Sequence, residues 1–258
     1  MNLDMHRIVD IMAHNAWVFM RLTGFMFTAP IFSNVLVPVR IRVVLLLALS
    51  ILIAPLVSGT VVPLSFDGVG VLGIANELLI GAAIGFTVQV AFEALSFAGT
   101  MTAQTMGLGF ASLVDPMHRG DEPVVGQLYQ ILALLMYLSV DGHLALLATL
   151  AESFRWLPPG HADLSRDALW SLAALGGKIM GSGVVIALPA VVALMIVNVA
   201  LGVVSRAAPQ LNLYAVGFPV SMMFGLVVLI QALPVLRQSF EMLLRESLDH
   251  AALLAGAR

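Results

Sequence analysis

An all-α, polytopic membrane protein of helical hairpins with about six apolar segments is the fold class that this sequence predicts, on three observations. Of 258 residues, 60% are hydrophobic and only 10% charged, against the roughly 25% charged residues of an average soluble domain. The apolar residues come in long blocks, each matching the ~20 helical residues needed to cross a ~30 Å hydrocarbon core. Short polar connections at 33–42, 63–68, 115–123, 152–167 and 205–212 separate the blocks, with no low-complexity tract or soluble domain between them.

The first predicted segment, residues 8–29, follows a start with no strongly basic region and no small-residue cleavage site, so it reads as a retained span. Arg21 lies in its middle. The second segment covers 43–62. The third begins at 69 and is assigned to about 97, although its apolar pattern continues without proline to Phe110. The fourth covers 124–151. The fifth, 169–204, is interrupted by Gly181-Ser-Gly183 and Pro189. The third and fifth exceed one span, so each is a candidate helical hairpin or kinked pair. The sixth covers 213–236 and leads into an amphipathic tail, 237–258. There Leu236, Phe240, Leu243, Leu244 and Leu248 share one face, and Arg237, Glu241, Arg245 and Asp249 alternate in sign on another. Such a tail is expected at an interface or docked on a partner.

With these six segments, Arg7, Arg155, Arg166, Arg237, Arg245 and Arg258 fall on one side and Arg40, Arg42, Arg119 and Arg206 on the other. This weak bias is a poor positive-inside signal and points to placement by partner subunits. Arg21, Glu77 and Lys178 are charges inside apolar segments, with no pairing legible from sequence. Gly81 with Gly85, and Gly177 with Gly181, are small-xxx-small pairs, whose ordinary use is close packing within one chain.

Gln89, Glu93, Ser96, Thr100 and Gln104 are spaced four, three, four and four apart. At about 100° per residue they stay within roughly 80° on one helical face. A charged side chain facing lipid costs at least ~2.5 kcal/mol. The stripe is therefore expected to face a lumen or a partner, with hydrogen bonding inside the protein as the alternative. It runs into a glycine-rich, half-apolar stretch, residues 104–123. There, in a loop that begins at Met106, Gly107 and Gly109 release the backbone, Leu108, Phe110, Leu113 and Val114 supply apolar bulk, and Asp115-Pro116 opposes continuation of a helix. Non-helical backbone at membrane depth is tolerated only where it is buried in protein or lines a cavity. This stretch is the candidate gate loop, and static packing is the alternative.

No constellation for catalysis is legible. Cysteine is absent, and the six histidines are scattered without metal-site spacing. The stretch from Gly107 to Ser112 is only half a dinucleotide fingerprint, and Gly177-Lys178 lacks the rest of a phosphate loop. Ser182 does not sit in a nucleophile elbow. No catalytic residue, cofactor or metal is expected, and a net charge of -3 gives no reason to expect nucleic acid.

Four stretches together carry a resemblance: residues 30–42 (PIFSNVLVPVRIR), residues 106–116 (MGLGFASLVDP), Asp141-Gly-His143, and residues 206–219 (RAAPQLNLYAVGFP). They resemble the FliR family of flagellar biosynthetic proteins, the export-gate subunits of type III secretion. The resemblance runs from the first segment to the last. It implies a non-enzymatic subunit in the bacterial inner membrane, at the flagellar basal body, assembled with the P and Q export-gate subunits and the B-type switch subunit. Unfolded flagellar proteins would pass through the assembly. It further implies one domain over 1–258, with a P-like part over 1–174 that carries a plug loop at 106–123, and a Q-like hairpin over 175–236. Arg206, Pro209, Gln210 and Asn212 form a polar turn suited to helix-end carbonyls or a neighbouring subunit's backbone. The equivalent subunit of a virulence-type injectisome is the alternative, and an unrelated secondary transporter stands third, since no repeat of similar halves is evident.

Overall fold

The computed structural model describes residues 5–33, 37–57, 67–110, 123–160, 166–208 and 213–256. Among these, seven α-helices and no strand are present: α1 (Met5–Thr28), α2 (Val39–Ile53), α3 (Gly68–Thr105), α4 (Val124–Ser139), α5 (Gly142–Trp156), α6 (Arg166–Ala207) and α7 (Leu213–Leu254). Two short 3-10 turns, Ala54–Leu56 and Leu108–Phe110, follow α2 and α3. The chain forms two compact units built from separated stretches. The first comprises Met1–Val90, Tyr137–Leu175 and Leu244–Arg258, and the second Ala91–Met136 and Gly176–Leu243.

In the first unit, α1 lies directly on the first half of α3. A side chain added at Gly24 would fall on the Leu78 carbonyl, and one at Gly81 on the Arg21 carbonyl. Thr28 donates its hydroxyl across the same contact to the Ala82 carbonyl at 2.9 Å. Glycine allows two helix backbones to touch, which gives dispersion contact without a hydrophobic drive from lipid. Trp17, Val18, Leu22 and Phe25 of α1 are buried, as are Ile80, Ile84 and Val88 of α3 and Leu146, Leu150 and Phe154 of α5. The Gly81–Gly85 pair therefore serves packing within the chain, while Gly177 and Gly181 have nothing within 4 Å.

In the second unit, the remainder of α3 is buried along Ala91, Ala94, Leu95, Ala98 and Ala103. A side chain at Gly99 would meet Gly126 of α4, and one at Gly183 would meet the Ala94 carbonyl at 2.8 Å. Phe92 and Phe240 pack edge to face at 5.6 Å, the orientation favoured by the ring quadrupoles.

Among the described residues, three helices are long and apolar enough to cross a membrane, α3, α6 and most of α7, or four if the bent pair α4–α5 is one span. The expected six segments resolve differently for identifiable reasons. The second segment yields only a 15-residue helix, because Pro55 sits in a 3-10 turn that closes it. The fourth breaks at Asp141, which adopts φ 53, a left-handed conformation that aspartate enters more readily than most residues. Neither overlong segment is a hairpin: α3 and α6 are single helices of 38 and 42 residues. Gly183 is a contact to α3 rather than a break, and Pro189 lies within the helix.

The amphipathic tail is not a separate element. α7 runs on through Pro219 and Pro234 to Leu254. Its face of Leu236, Phe240, Leu244, Ser247 and Ala251 is buried within the chain itself, in place of the expected docking on a partner. On the other face Arg237 and Glu241 pair at 2.8 Å.

The best 18-residue window of α3 is 67% buried, whereas those of α6 and α7 are 17% and 22% buried. α3 is thus a protein-surrounded helix. α6 and α7 present apolar faces, among them Val185, Leu188, Ile196, Val199, Met223 and Ile230, that require lipid or other subunits. At 1.5 Å per residue each is roughly 60 Å long, about twice the hydrocarbon thickness.

Candidate functional site

Helix α3 ends where glycine permits it to end. Gly107 has φ +86, a region that side-chain-bearing residues enter at a cost. Its N–H turns back to the Gln104 carbonyl at 3.1 Å while the Met106 N–H still reaches the Thr102 carbonyl at 3.0 Å. The chain then enters the 3-10 turn Leu108–Phe110. Met106 is 1% exposed, and its side chain fills the space that a Cβ on Gly225 of α7 would need. Leu108 and Gly109 are half-buried. Leu113, Asp115 and Pro116 lie outside the described residues, as do Pro209, Gln210 and Asn212 of the predicted interface turn. Arg206, in the last turn of α6, is exposed.

A cavity of about 640 Å³ opens beside this helix end, lined by Gln104, Thr105, Met106, Asn198, Phe218 and Ser221 among others. Two polar side chains on apolar helices meet there. Asn198 of α6 donates its amide N–H to the Thr105 carbonyl at 3.0 Å, and the Ser221 hydroxyl of α7 donates to the Asn198 carbonyl oxygen at 3.0 Å. The last carbonyls of a helix lack intrahelical donors, so Asn198 supplies a missing partner. A smaller cavity of about 240 Å³ lies among Tyr129, Pro189, Ala190, Gln231 and Leu236.

The polar stripe on α3 divides by environment. Ser96 is 2% exposed, and the Thr100 hydroxyl and Ser96 carbonyl lie against Gly126 of α4, so these two positions face protein. Gln89 and Glu93 are half-buried, and Gln104 is exposed at the cavity.

A second constellation, whose pairing the sequence does not encode, lies in the first unit. The Arg21 guanidinium, fully buried, donates through Nε to Glu77 Oε2 at 2.7 Å and through Nη2 to Glu77 Oε1 at 3.1 Å. Nη1 donates to Ser153 Oγ at 3.0 Å and Nη2 also to the Leu157 carbonyl at 2.8 Å. The plane stacks 4.2 Å above the Phe154 ring. Glu77 Oε1 additionally accepts the Gly160 N–H at 3.0 Å. A paired, hydrogen-bonded arginine is one of the few ways a charge persists in an interior. The network ties α1, α3 and the end of α5 together. Its sequence signal was the pair of opposite charges inside apolar segments, each three or four residues from a contact glycine, Gly24 or Gly81. Among the described residues no cluster of three or more metal-ligating side chains occurs.

Comparison with known proteins gives one consistent result. Residues 12–247 match the family model described as bacterial export proteins, family 1. Flagellar biosynthetic protein FliR of Pectobacterium carotovorum subsp. carotovorum is 35% identical over 233 residues, covering 90% of this chain and 89% of the relative. The FliR protein of Escherichia coli (strain K12) is 35% identical over 230 residues, with 89% and 88% covered. That of Bacillus subtilis (strain 168) is 28% identical over 236 residues, with 90% of each covered.

Proposed function

As the chain belongs to the bacterial export proteins, family 1, we propose that it is a subunit of the flagellar type III protein export gate. Its role is to form part of the channel for unfolded flagellar proteins and to carry that channel's plug. The observation that carries this reading is the end of α3. A protein-surrounded helix gives way at Met106 and Gly107 to a glycine-rich, apolar segment, in a chain whose other long helices leave apolar faces uncovered. Phe110 and Leu113 are suited to excluding water, and Gly107 and Gly109 let the backbone yield to a passing polypeptide. No bond is made or broken in this role.

The P and Q export-gate subunits are the proposed cover for α6 and α7, with the B-type switch subunit as a further partner, in the bacterial inner membrane. We also assign residues 1–174 to a P-like part and 175–236 to a Q-like hairpin. The interface role of Arg206, Pro209, Gln210 and Asn212 is part of the same proposal.

The test replaces Phe110 and Leu113 with serine in the complete gate and measures dye and small-ion conductance at equal complex yield. The apolar seal should be lost and the membrane should leak several-fold more, because dewetting of an apolar constriction depends on those side chains. Unchanged conductance in an assembled complex would make the loop static packing.

A further inference from the structure

Asn198 and Ser221 are not part of any motif read from the sequence, yet they meet at the point where α3 ends. We propose that Asn198, oriented by Ser221, is the positioning residue that fixes where the glycine-rich segment leaves α3. The proposal rests on the channel reading above for its functional consequence but not for its geometry.

An asparagine nine residues before the end of a 42-residue apolar helix is an expensive choice unless its amide is used. Here both ends are used, the N–H on the Thr105 carbonyl and the oxygen on the Ser221 hydroxyl. The Thr105 carbonyl, which can only accept, settles which end of the amide points where: the nitrogen faces Thr105, so the oxygen faces Ser221 and accepts its hydroxyl. Thr105 is the last helical residue before Gly107, so an added donor on its carbonyl holds the helix end against unwinding by a turn. On the other side of the same point, Met106 occupies the place of a side chain at Gly225, and Phe218 lies 3.4 Å from where a Cβ on Gly107 would be. Apolar contacts of this kind set depth but no direction. A hydrogen bond to a specified carbonyl sets direction, because its strength falls steeply with angle. Asn198 therefore supplies the orientation that packing leaves open.

The test uses the complete export complex in membranes, with Leu108→Cys as a reporter. The chain has no cysteine of its own, so maleimide labelling of this subunit reads only position 108, which is half-buried just past the turn. Asn198→Asp keeps size and the acceptor for Ser221 but removes the donor. Asn198 is exposed in the chain, so the change leaves the core intact. Labelling is expected to rise several-fold with Asn198→Asp, less with Ser221→Ala, and not with Ser221→Thr, which keeps the hydroxyl. Should Asn198→Asp lower complex yield, Ser221→Ala measures the same quantity with the donor present. Unchanged labelling in both would overturn the proposal. Dye leak is recorded on the same membranes. Faster labelling without leak supports the positioning role and counts against the channel reading. A leak with unchanged labelling overturns the positioning role and leaves the channel reading standing.

Discussion

Glu77→Leu should destabilise the folded chain by ~3–5 kcal/mol, the range for removing one partner of a buried ion pair. Arg21 is 0% and Glu77 1% exposed, so water cannot replace the lost carboxylate. Two guanidinium N–H groups and the Gly160 N–H would lose their acceptor together. The positive charge would remain beside the Phe154 face and the Leu157 carbonyl, which cannot neutralise it. The assembled complex should be obtained in much lower yield, with a lower unfolding temperature in detergent. The double change Arg21→Met with Glu77→Leu should recover most of the loss, since a well-packed apolar pair often equals or exceeds a buried ion pair in stability. A double variant as unstable as the single one would show that the pair acts through shape rather than charge compensation.

Gly81→Val should be nearly as damaging, about 3 kcal/mol, at the upper end of overpacking costs. The added side chain would meet the Arg21 carbonyl and lie 2.8 Å from the Phe25 nitrogen. Both are helix backbone, which cannot rotate away as a side chain would. The separation of α1 and α3 would have to increase, and that would also lengthen the Arg21–Glu77 contact. Gly177→Ala is the matched control, because nothing lies within 4 Å of Gly177 and alanine favours the helix by roughly 0.5–1 kcal/mol. Thermal unfolding of both variants checks the contrast. Equal destabilisation would contradict the assignment of Gly81 to helix contact. A Gly177 variant that is made at the normal level but fails to assemble would mark a partner surface on α6.

The helical membrane class was legible from apolar block length alone, since that signal is local. The number of spans was not, because hydropathy reads the same for a helix against lipid and one against protein. α3 and α6 are both apolar enough to cross a membrane, yet one is mostly buried and the other mostly bare. Local breaks were also ambiguous. Gly183 and Pro189 looked like interruptions, and only the approach of Ala94 shows that the glycine accommodates a neighbour. Of the amphipathic face from Leu236 to Leu248, Leu236, Phe240 and Leu244 are buried by this same chain and Leu243 and Leu248 are half-buried, which depends on packing that sequence periodicity does not encode. The pairing of Arg21 with Glu77, 56 residues apart, needed three-dimensional proximity. At the loop, the glycine at 107 was legible because a positive φ has a strong residue preference, whereas the third segment was expected to end near 97 and α3 runs on to Thr105. Asn198 was missed because a single amide in an apolar run has no spacing signature.

The most direct test of the central claim, that this chain is one subunit of a multi-subunit export gate, is native mass spectrometry after affinity purification from membranes. The uncovered faces of α6 and α7 and the half-buried Gln89 and Glu93 predict that the chain is recovered in a heteromeric complex with P- and Q-type subunits, in a single copy, and that it aggregates when expressed alone. A monodisperse, well-folded monomer in detergent, with no other subunit bound, would contradict it.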